Sequence, residues 1–212
     1  MQKELVIIGA GGHGKVFADI AKWNGYQNIV FLDADKSKKN CGKYQVIGTE
    51  NMLADLSGDI IVAIGNAADR RKIQERIDRS RIATLIHPDA FVADDVIIGK
   101  GTVIMAGAVI NSGAIIGESC IINTCASVDH DCILSDYVHI SAGAHIAGTV
   151  KIHSNTWIGV GVSVSNDIEI AGNCVVGAGA AVVQNIAIPG TYVGVPAVCV
   201  KQRKRSSLSD FQ

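Results

Sequence analysis

The amino-acid sequence predicts an α/β domain of βαβαβ topology, half of a Rossmann fold, over residues 1–85, followed by an all-β parallel β-helix over residues 86–200. Three observations support this fold class. Aliphatic residues recur at every sixth position from Ile86 to Ile188. The first part of the chain instead alternates short apolar runs with stretches of helical character. A glycine-rich motif directly follows the first apolar run, where nucleotide-binding domains have a phosphate-binding turn.

The six-residue repeat is the strongest feature of the sequence. Eighteen successive repeat positions are aliphatic, and all of them except Leu134 are β-branched. A second, mostly small residue follows four positions after each, and Cys120, Cys132 and Cys174 belong to this second column. Six residues accommodate one short strand and one turn, with the β-branched side chain directed inward. The period therefore predicts a solenoid, and the three cysteines are predicted to be small buried hydrophobes.

The front part of the chain predicts a small parallel sheet with two helices. Strands are expected at 5–8, 29–33 and 59–64, because these runs are apolar and rich in β-branched residues. Helices are expected at 15–23 and 67–80. This alternation of strands and helices is typical of βαβ units, whose strands are parallel.

The motif Gly9-Ala-Gly-Gly-His-Gly14 satisfies G-x-G-x-x-G, and Asp33 follows it at the distance of a ribose-binding acid. Taken alone, the motif suggests a nicotinamide cofactor. The domain is only half of a dinucleotide-binding fold, however, and such a half can hold a nucleotide diphosphate at the helix N-terminus. Alternatively, the glycines serve only close packing of strand and helix. The residues predicted to bind a nucleotide-linked substrate are Gly11, Gly12, His13, Asp33 and Gly65.

Composition limits the other functional classes. A formal net charge of -1 offers no long-range electrostatic attraction to nucleic acid. The apolar run near the N-terminus is too short for a signal peptide or a membrane helix. The six cysteines form no C-x-x-C pair and no ligand-like group with histidine, so we expect reduced thiols, a cytoplasmic location and no metal site. Residues 201–212 form a basic and polar tail.

Three motifs carry a resemblance to a known family. They are Gly9-Ala-Gly-Gly-His-Gly-Lys15, Asn123-Thr-Cys-Ala-Ser-Val-Asp-His-Asp-Cys132 and Val193-Gly-Val-Pro-Ala197. Together with the hexapeptide repeat, they make the chain resemble the bacterial sugar-nucleotide acetyltransferases, which include the bacillosamine-pathway N-acetyltransferase and the sialic acid O-acetyltransferases. The resemblance implies a left-handed β-helix with three repeats per coil, and hence about six coils. It also implies acetyl-CoA as the co-substrate.

The resemblance assigns His130 as the general base and Asp131 as the acid that orients it. Histidine suits this role because its ordinary pKa lies near neutrality. Gly148 lies three repeats after His130, and therefore one coil away, where its backbone N–H would stabilise the thioester oxyanion. Asn123 and His139 match family positions near the acceptor substrate, although His139 could equally be a solvated surface residue.

In this family acetyl-CoA lies between adjacent β-helices of a homotrimer, and the front domain of one subunit reaches the histidine of a neighbour. The corresponding candidates for coenzyme contacts are Gly148, Gly161, Gly179 and Pro196. The basic run 201–205 could meet the coenzyme phosphates or form a solvated tail. Asp129 departs from the pattern of many relatives, which have asparagine there. Its carboxylate either raises the basicity of His130 or faces solvent.

The sequence thus predicts acetyl transfer from acetyl-CoA to a nucleotide-linked amino sugar, with N-acetylation of a UDP-4-amino-4,6-dideoxy sugar as the leading hypothesis. His130 would accept the proton as the acceptor attacks the thioester directly. Two alternatives stay open: O-acetylation of sialic acid or a related sugar, and a non-catalytic nucleotide-binding scaffold. The pair of His130 and Asp131 argues against the scaffold, since function follows from the site rather than from the fold.

Overall fold

The front part of the chain folds into a five-stranded sheet with two helices in the computed structural model, which describes residues 3–200. In chain order, its elements are β1 (Lys3–Ile8), α1 (Gly12–Trp23), β2 (Tyr26–Leu32), β3 (Asn40–Cys41), β4 (Tyr44–Gly48), β5 (Asp59–Val62) and α2 (Ala67–Gln74). The strand order is β3-β4-β2-β1-β5, and all neighbours except β3 and β4 pair in parallel. The predicted parallel sheet is confirmed. The hairpin of β3 and β4 escaped prediction because its strands are short, with two and five residues.

Both helices differ from their predicted bounds. α1 begins at Gly12, inside the glycine-rich motif, so the motif itself forms the first helical turn. α2 ends at Gln74, well before the predicted end at Ser80. The last part of the predicted helix is a separate 3₁₀ turn at Arg79–Arg81, capped by Asp78, whose side chain accepts a hydrogen bond from the Ser80 backbone N–H at 2.8 Å. Within residues 3–200, no helix has the length and apolar character needed to cross a bilayer.

The rest of the chain is a parallel β-helix of short strands on three faces. The first face contains β6 (Leu85–Ile86), β9 (Val103–Ile104), β12 (Ile121–Ile122), β15 (His139–Ile140), β18 (Trp157–Ile158), β21 (Val175–Val176), β23 (Thr191–Val193) and β24 (Val198–Cys199). The second face contains β7 (Phe91–Val92), β10 (Val109–Ile110), β13 (Ser127–Val128), β16 (His145–Ile146), β19 (Ser163–Val164) and β22 (Ala181–Val182). The third face contains β8 (Ile97–Ile98), β11 (Ile115–Ile116), β14 (Ile133–Leu134), β17 (Lys151–Ile152) and β20 (Glu169–Ile170).

Each coil consists of three repeats, because strands three repeats apart pair in parallel, as Val128 does with Ile146. The six strands of the second face give the predicted number of about six coils. The repeat aliphatics point inward, and from Ile104 to Val182 each is at most 3% exposed. The cysteines of the second column are also fully buried in this core, as predicted.

The regular repeat ends earlier than the sequence predicts. Ile188 is 69% exposed and lies in no strand. Ile186 bridges to Ile170 instead, and Thr191 pairs with Val175, so the last coil is two residues short of the others. Shortening the coil turns Ile188 out of the inward register, and Ile186 fills the core position.

Most turns of the β-helix place one residue in the left-handed region of backbone conformation. From Gly101 to Gly179, the residue three positions after each aliphatic has φ between 52° and 77°. These turns form three columns of corners. The first corner, between the first and second faces, carries Gly107, Cys125, Gly143, Gly161 and Gly179. The second corner, between the second and third faces, carries Gly113, Asp131, Thr149 and Asp167. The third corner, between the third and first faces, carries Gly101, Ser119, Tyr137, Asn155 and Asn173.

The front domain packs against the lower coils of the first face. Outward side chains of Leu85, Val103 and Ile121 are buried in one apolar cluster with Phe17 of α1. Burying such side chains stabilises the contact by roughly 1.5–3 kcal/mol each. The higher strands of the same face extend beyond the front domain, and a cleft forms at this border.

Candidate active site

His130 and Asp131 lie side by side at the second corner. Nδ1 of His130 is 2.8 Å from Oδ2 of Asp131, and both side chains are largely exposed. This hydrogen bond is the main reason why the pKa of His130 lies above its ordinary value of 6.5. Since the carboxylate accepts the Nδ1 hydrogen, Nε2 is left without a proton in the neutral ring. The arrangement suits a general base.

Gly148 lies against this ring from the next coil. The Thr149 backbone N–H donates to the His130 carbonyl oxygen at 2.9 Å, which holds the two coils in register. A Cβ built on Gly148 would lie 2.5 Å from Nε2 of His130. Only glycine leaves the ring in its place. The hydrogen bonds described for residues 3–200 do not use the Gly148 N–H, which is therefore free to bind an oxyanion.

Asp129 hydrogen-bonds Asn111 and the His130 backbone. Its Oδ1 accepts from Nδ2 of Asn111 at 2.7 Å and from the His130 backbone N–H at 2.8 Å. The bond from Asn111 is the largest cause that lowers the pKa of Asp129. The ionised carboxylate also raises the pKa of His130 through space. Of the two expectations for Asp129, the structure favours an effect on the basicity of His130.

A cleft of about 460 Å³ lies where the front domain meets the first face and the third corner. On the front-domain side it is lined by His13, Gly65 and Asn66. The β-helix contributes Tyr137, His139 and Trp157, together with higher residues of the same column and corner. The cleft is concave, mostly apolar and bounded by two structural units, which is typical of sites for small molecules.

His139, Asn123 and His13 come together at this cleft. His139 is 6% exposed, stacks parallel to Trp157 with ring centroids 6.0 Å apart, and has Nε2 3.3 Å from Nδ2 of Asn123. The solvated-surface alternative for His139 is therefore wrong. The His13 ring stands edge-on to it at 5.4 Å. Burial lowers the pKa of His139 to about 3, and burial followed by the charge of Arg70 lowers the pKa of His13. Both rings are neutral at pH 7.

The glycines of the front motif serve two different purposes. A Cβ on Gly14 would lie 2.2 Å from the Gly9 carbonyl oxygen, and one on Gly9 (φ +109°) would lie 2.9 Å from that of Ala63. These two glycines are required by packing. A Cβ on Gly11 or Gly12 would meet nothing within 4 Å. Because Gly12 begins α1, this open part of the motif presents a helix N-terminus suited to phosphate.

Asp33 follows β2 and anchors the glycine-rich loop. Its carboxylate accepts hydrogen bonds from the Ala10 N–H at 2.7 Å, the Asp35 N–H at 2.9 Å and Nζ of Lys38 at 2.9 Å. Burial acts to raise the pKa of Asp33, but these hydrogen bonds outweigh it and lower the pKa. The ionised carboxylate therefore holds the loop in place. Its contact with a ribose stays a prediction.

The predicted coenzyme contacts are distributed over two corners. Gly148 lies at the second corner, whereas Gly161 and Gly179 lie at the first, where a Cβ on either would meet nothing within 4 Å. Pro196 lies between β23 and β24, in a loop that donates a backbone hydrogen bond to the Ala181 carbonyl of the second face. The second face of the β-helix thus lies between Gly148 at the second corner and Gly161 and Gly179 at the first. The basic run 201–205 lies outside the described residues.

One chain does not bring all predicted site residues together. His130, Asp131 and Gly148 lie at the second corner, while His13 and His139 line the cleft at the first face. The third face separates the second corner from the third corner, where the cleft continues. Two groups of residues are therefore present, one with the base and one with a substrate-sized cleft. In the part of the chain from residue 3 to 200, no three or more His, Cys, Asp or Glu side chains are grouped to hold a metal ion.

The residues at the cleft that the sequence prediction missed include Trp157 in its lining and Arg70 behind it. Trp157 lies three repeats after His139, so the coil period already places the two in one column, and this signal could have identified it. Arg70 is only 1% exposed behind the cleft. A charged residue in a polar helix is expected to be exposed, and nothing in the sequence indicates that Arg70 is buried.

The chain is similar to a known domain family and to solved acetyltransferase structures. Residues 4–77 match the PglD N-terminal domain family. The acetyltransferase domain of PglB from Neisseria gonorrhoeae FA1090, solved in complex with acetyl coenzyme A, is 41% identical and superposes with a TM-score of 0.90 over 94% of this chain and 100% of that chain. A variant of perosamine N-acetyltransferase from Caulobacter crescentus, solved with CoA and GDP-perosamine, is 33% identical with a TM-score of 0.88, over 93% of this chain and 97% of that one.

This chain belongs to the nucleotide-sugar N-acetyltransferases. The predicted resemblance is confirmed, and with it the acyltransferase class and acetyl-CoA as co-substrate. A further relative of this N-acetyltransferase is the UDP-N-acetylbacillosamine N-acetyltransferase of Bacillus subtilis (strain 168). It is 37% identical over 112 residues, which cover 49% of this chain and 52% of that protein.

Proposed function

We propose that this N-acetyltransferase transfers the acetyl group of acetyl-CoA to the 4-amino group of a UDP-linked 4-amino-4,6-dideoxy sugar. The observation that carries the proposal is the pair of His130 and Asp131, whose ring presents Nε2 to Gly148 of the next coil. The choice of UDP is supported by the relative from Bacillus subtilis, which is named for a UDP-linked sugar.

The reaction needs one base and one oxyanion donor. The acceptor nitrogen attacks the thioester carbonyl carbon while Nε2 of His130 accepts its proton, and a C–N bond forms. The Gly148 N–H stabilises the oxyanion, and a donor at such a position contributes about 3 kcal/mol. The C–S bond then breaks, and the proton on His130 passes to the departing CoA sulfur. No enzyme nucleophile is required. Cys132, next to Asp131, is buried in the core with its pKa raised to about 11 by burial.

The front domain supplies the binding of the acceptor. The open N-terminus of α1 at Gly11 and Gly12 suits a diphosphate, and Asp33 holds that loop in place. The adjoining cleft has the size for a sugar and presents the neutral rings of His13 and His139. A neutral imidazole can donate hydrogen bonds to sugar hydroxyls or accept them.

A homotrimer is part of this proposal, with each active site formed by the second corner of one subunit and the cleft of the next. It is supported by the separation of the two groups of residues in one chain. It is also supported by an exposed apolar row on the third face, formed by Ile97, Ile115 and Ile133 with 61%, 40% and 39% exposure. In such an assembly the coenzyme would contact Gly161, Gly179 and Pro196 between subunits. We place the enzyme in the cytoplasm, since all six cysteines are unpaired thiols.

A thiol-release assay tests the proposal. The 212-residue protein is given acetyl-CoA with UDP-4-amino sugars, a GDP-linked 4-amino sugar, CMP-sialic acid or free sialic acid. CoA release with the UDP-4-amino sugar, at a kcat/KM well above that of the GDP-linked sugar, is expected. Preference for the GDP-linked sugar would overturn the choice of nucleotide, and release with sialic acid alone would overturn N-acetylation.

A further inference from the structure

Arg70 of α2 joins the two structural units through hydrogen bonds to backbone carbonyls. Its Nη1 donates to the carbonyl oxygens of Ile64 at 2.8 Å and Gly65 at 3.0 Å, in the front domain. Its Nε donates to Ser119 at 2.9 Å, and its Nη2 donates to Tyr137 at 3.0 Å, both at the third corner of the β-helix. One side chain thus holds four carbonyl groups from two units.

The chemistry of this contact requires arginine. The guanidinium is 1% exposed, and the ion pairs described for residues 3–200 do not include it. A planar fork of five donors can reach carbonyls on opposite sides at once, whereas a lysine ammonium cannot. Burying a charge without a carboxylate is costly unless every donor is well used. The bonds to both units therefore make Arg70 sensitive to their relative position.

The neighbouring contacts of α2 support the same docking. Gln74, one helical turn after Arg70, hydrogen-bonds the Ser119 hydroxyl at the third corner. A Cβ on Gly101 would lie 2.6 Å from the Gln74 amide, so the corner leaves room for this contact only with glycine. The Arg71 guanidinium lies 4.6 Å from the centre of the Tyr137 ring. The helix is thus fixed to the corner on which the cleft opens.

We propose that Arg70 is a positioning residue for the acceptor sugar, because it ties the Gly65 wall of the cleft to the Tyr137 wall. Both residues line the cleft, and Arg70 binds the carbonyl of each from behind. The inference rests on the proposed function, in which this cleft receives the acceptor. It assigns Arg70 no contact with either substrate.

The charge of Arg70 has a second effect on the same cleft. It adds to burial in lowering the pKa of His139 and of His13. Burial lowers the pKa of Arg70 itself to about 10, and the electrostatic effects of Cys120 and Tyr137 act in the opposite direction. At neutral pH Arg70 is therefore charged, and the two imidazoles in front of it are not. Loss of Arg70 would let these rings take up protons at higher pH than in the wild type.

The test compares Arg70→Met and Arg70→Lys with Arg76→Met, a matched change at an exposed residue whose ion pair to Glu50 lies away from the cleft. For Arg70→Met, we expect the KM for the nucleotide sugar to rise on the order of 10-fold, with the KM for acetyl-CoA unchanged. Arg70→Lys, which keeps the charge but not the fork, should give an intermediate rise. Arg76→Met should match the wild type in both constants.

A second measurement does not depend on turnover. Hydrogen exchange of the segments around Gly65 and Tyr137 should accelerate in both Arg70 variants, while exchange in the upper coils around Val164 stays unchanged. Faster exchange with an unchanged KM for the sugar would overturn the positioning role, and so would equal rises in both KM values. Inactivity of the wild type with every nucleotide sugar would instead contradict the proposed function. If the wild type is inactive, unchanged exchange in the variants would also show that Arg70 does not hold the Gly65 and Tyr137 sides of the cleft together.

Discussion

His130 must be neutral when the acceptor amine attacks, so its protonation limits the rate at low pH. Since Asp131 raises the pKa of His130, activity is lost as the pH falls through a value above 6.5. Asp131→Asn removes the carboxylate that stabilises the charged ring. We expect the acid limb of kcat/KM to move to lower pH and the plateau to fall, because the ring also loses its orienting partner. A pH profile of both proteins measures this, and an unmoved acid limb would contradict the pairing.

The base itself is tested by His130→Ala. Its imidazole is largely exposed and makes no core contact, so the fold should survive with an unchanged melting temperature. We expect kcat to fall by roughly 10²–10⁴-fold, the usual contribution of a general base. Binding of acetyl-CoA, measured by calorimetry, serves as the control and should persist. A turnover rate like that of the wild type would remove His130 from the mechanism.

At the scale of residues, the sequence predicted well where chemistry depends on neighbours in the chain. His130 and Asp131 are adjacent, and the coil period alone placed Gly148 beside them. The coil period also places Asn111 beside Asp129, 18 residues later, but only the fold shows that the two side chains hydrogen-bond. His139 was undecided because its burial also depends on the front domain, whose packing against the β-helix the period does not predict.

The corners of the β-helix determine how its elements carry the site. Fourteen successive turns each contain one residue in the left-handed region, so the corners stack as columns with a nearly constant geometry. A base on one coil and an oxyanion donor on the next are therefore held about 4.8 Å apart in the stacking direction by the scaffold. This spacing follows from the backbone ladder and does not depend on side-chain packing at the surface.

Gly148→Ala tests this arrangement. The backbone at Gly148 lies outside the left-handed region, so alanine should not strain the turn. Its Cβ would nevertheless meet the His130 ring at 2.5 Å and displace it. We expect kcat to fall on the order of 10²-fold, with the melting temperature changed little. Kinetics together with thermal unfolding separate the two effects, and a full loss of folding or an unaltered kcat would contradict the expectation.

At the scale of elements, periodic patterns were predicted more reliably than boundaries. The strands of the β-helix follow from the six-residue period, since a one-residue error would expose the whole inward column. The end of the repeat was wrong at Ile188, because a coil shortened by two residues leaves no mark in the aliphatic column. The helical pattern also did not show that α2 ends at Gln74 and that Asp78 caps a separate 3₁₀ turn.

At the scale of the whole molecule, the group with His130 and the group around the cleft are separated in one chain but must form one active site. If His130 of one subunit serves the cleft of the next, then His130→Ala and His139→Ala disable different halves of the same site. Subunits of the two variants are unfolded together, mixed in equal amounts and refolded. Random assembly should restore about one quarter of the wild-type activity, because one in four interfaces then combines two intact halves.

The control for this experiment is each variant refolded alone, which should give only its own low activity. A mixture no more active than the average of the two variants would show that both halves act within one chain. Light scattering of the wild type measures the assembly independently, with a mass of three 22.2 kDa chains expected.

The sequence by itself determined what is local and repetitive in this protein: the solenoid, its inward column, the glycine-rich turn and the adjacent base and acid. These features follow from steric and chemical preferences that act over a few residues. Only the tertiary structure decided how the two units meet, which glycines of the motif are open, and that Arg70 is buried between the walls of the cleft. Such features depend on contacts between residues far apart in the chain, where burial and long-range hydrogen bonds override local preference.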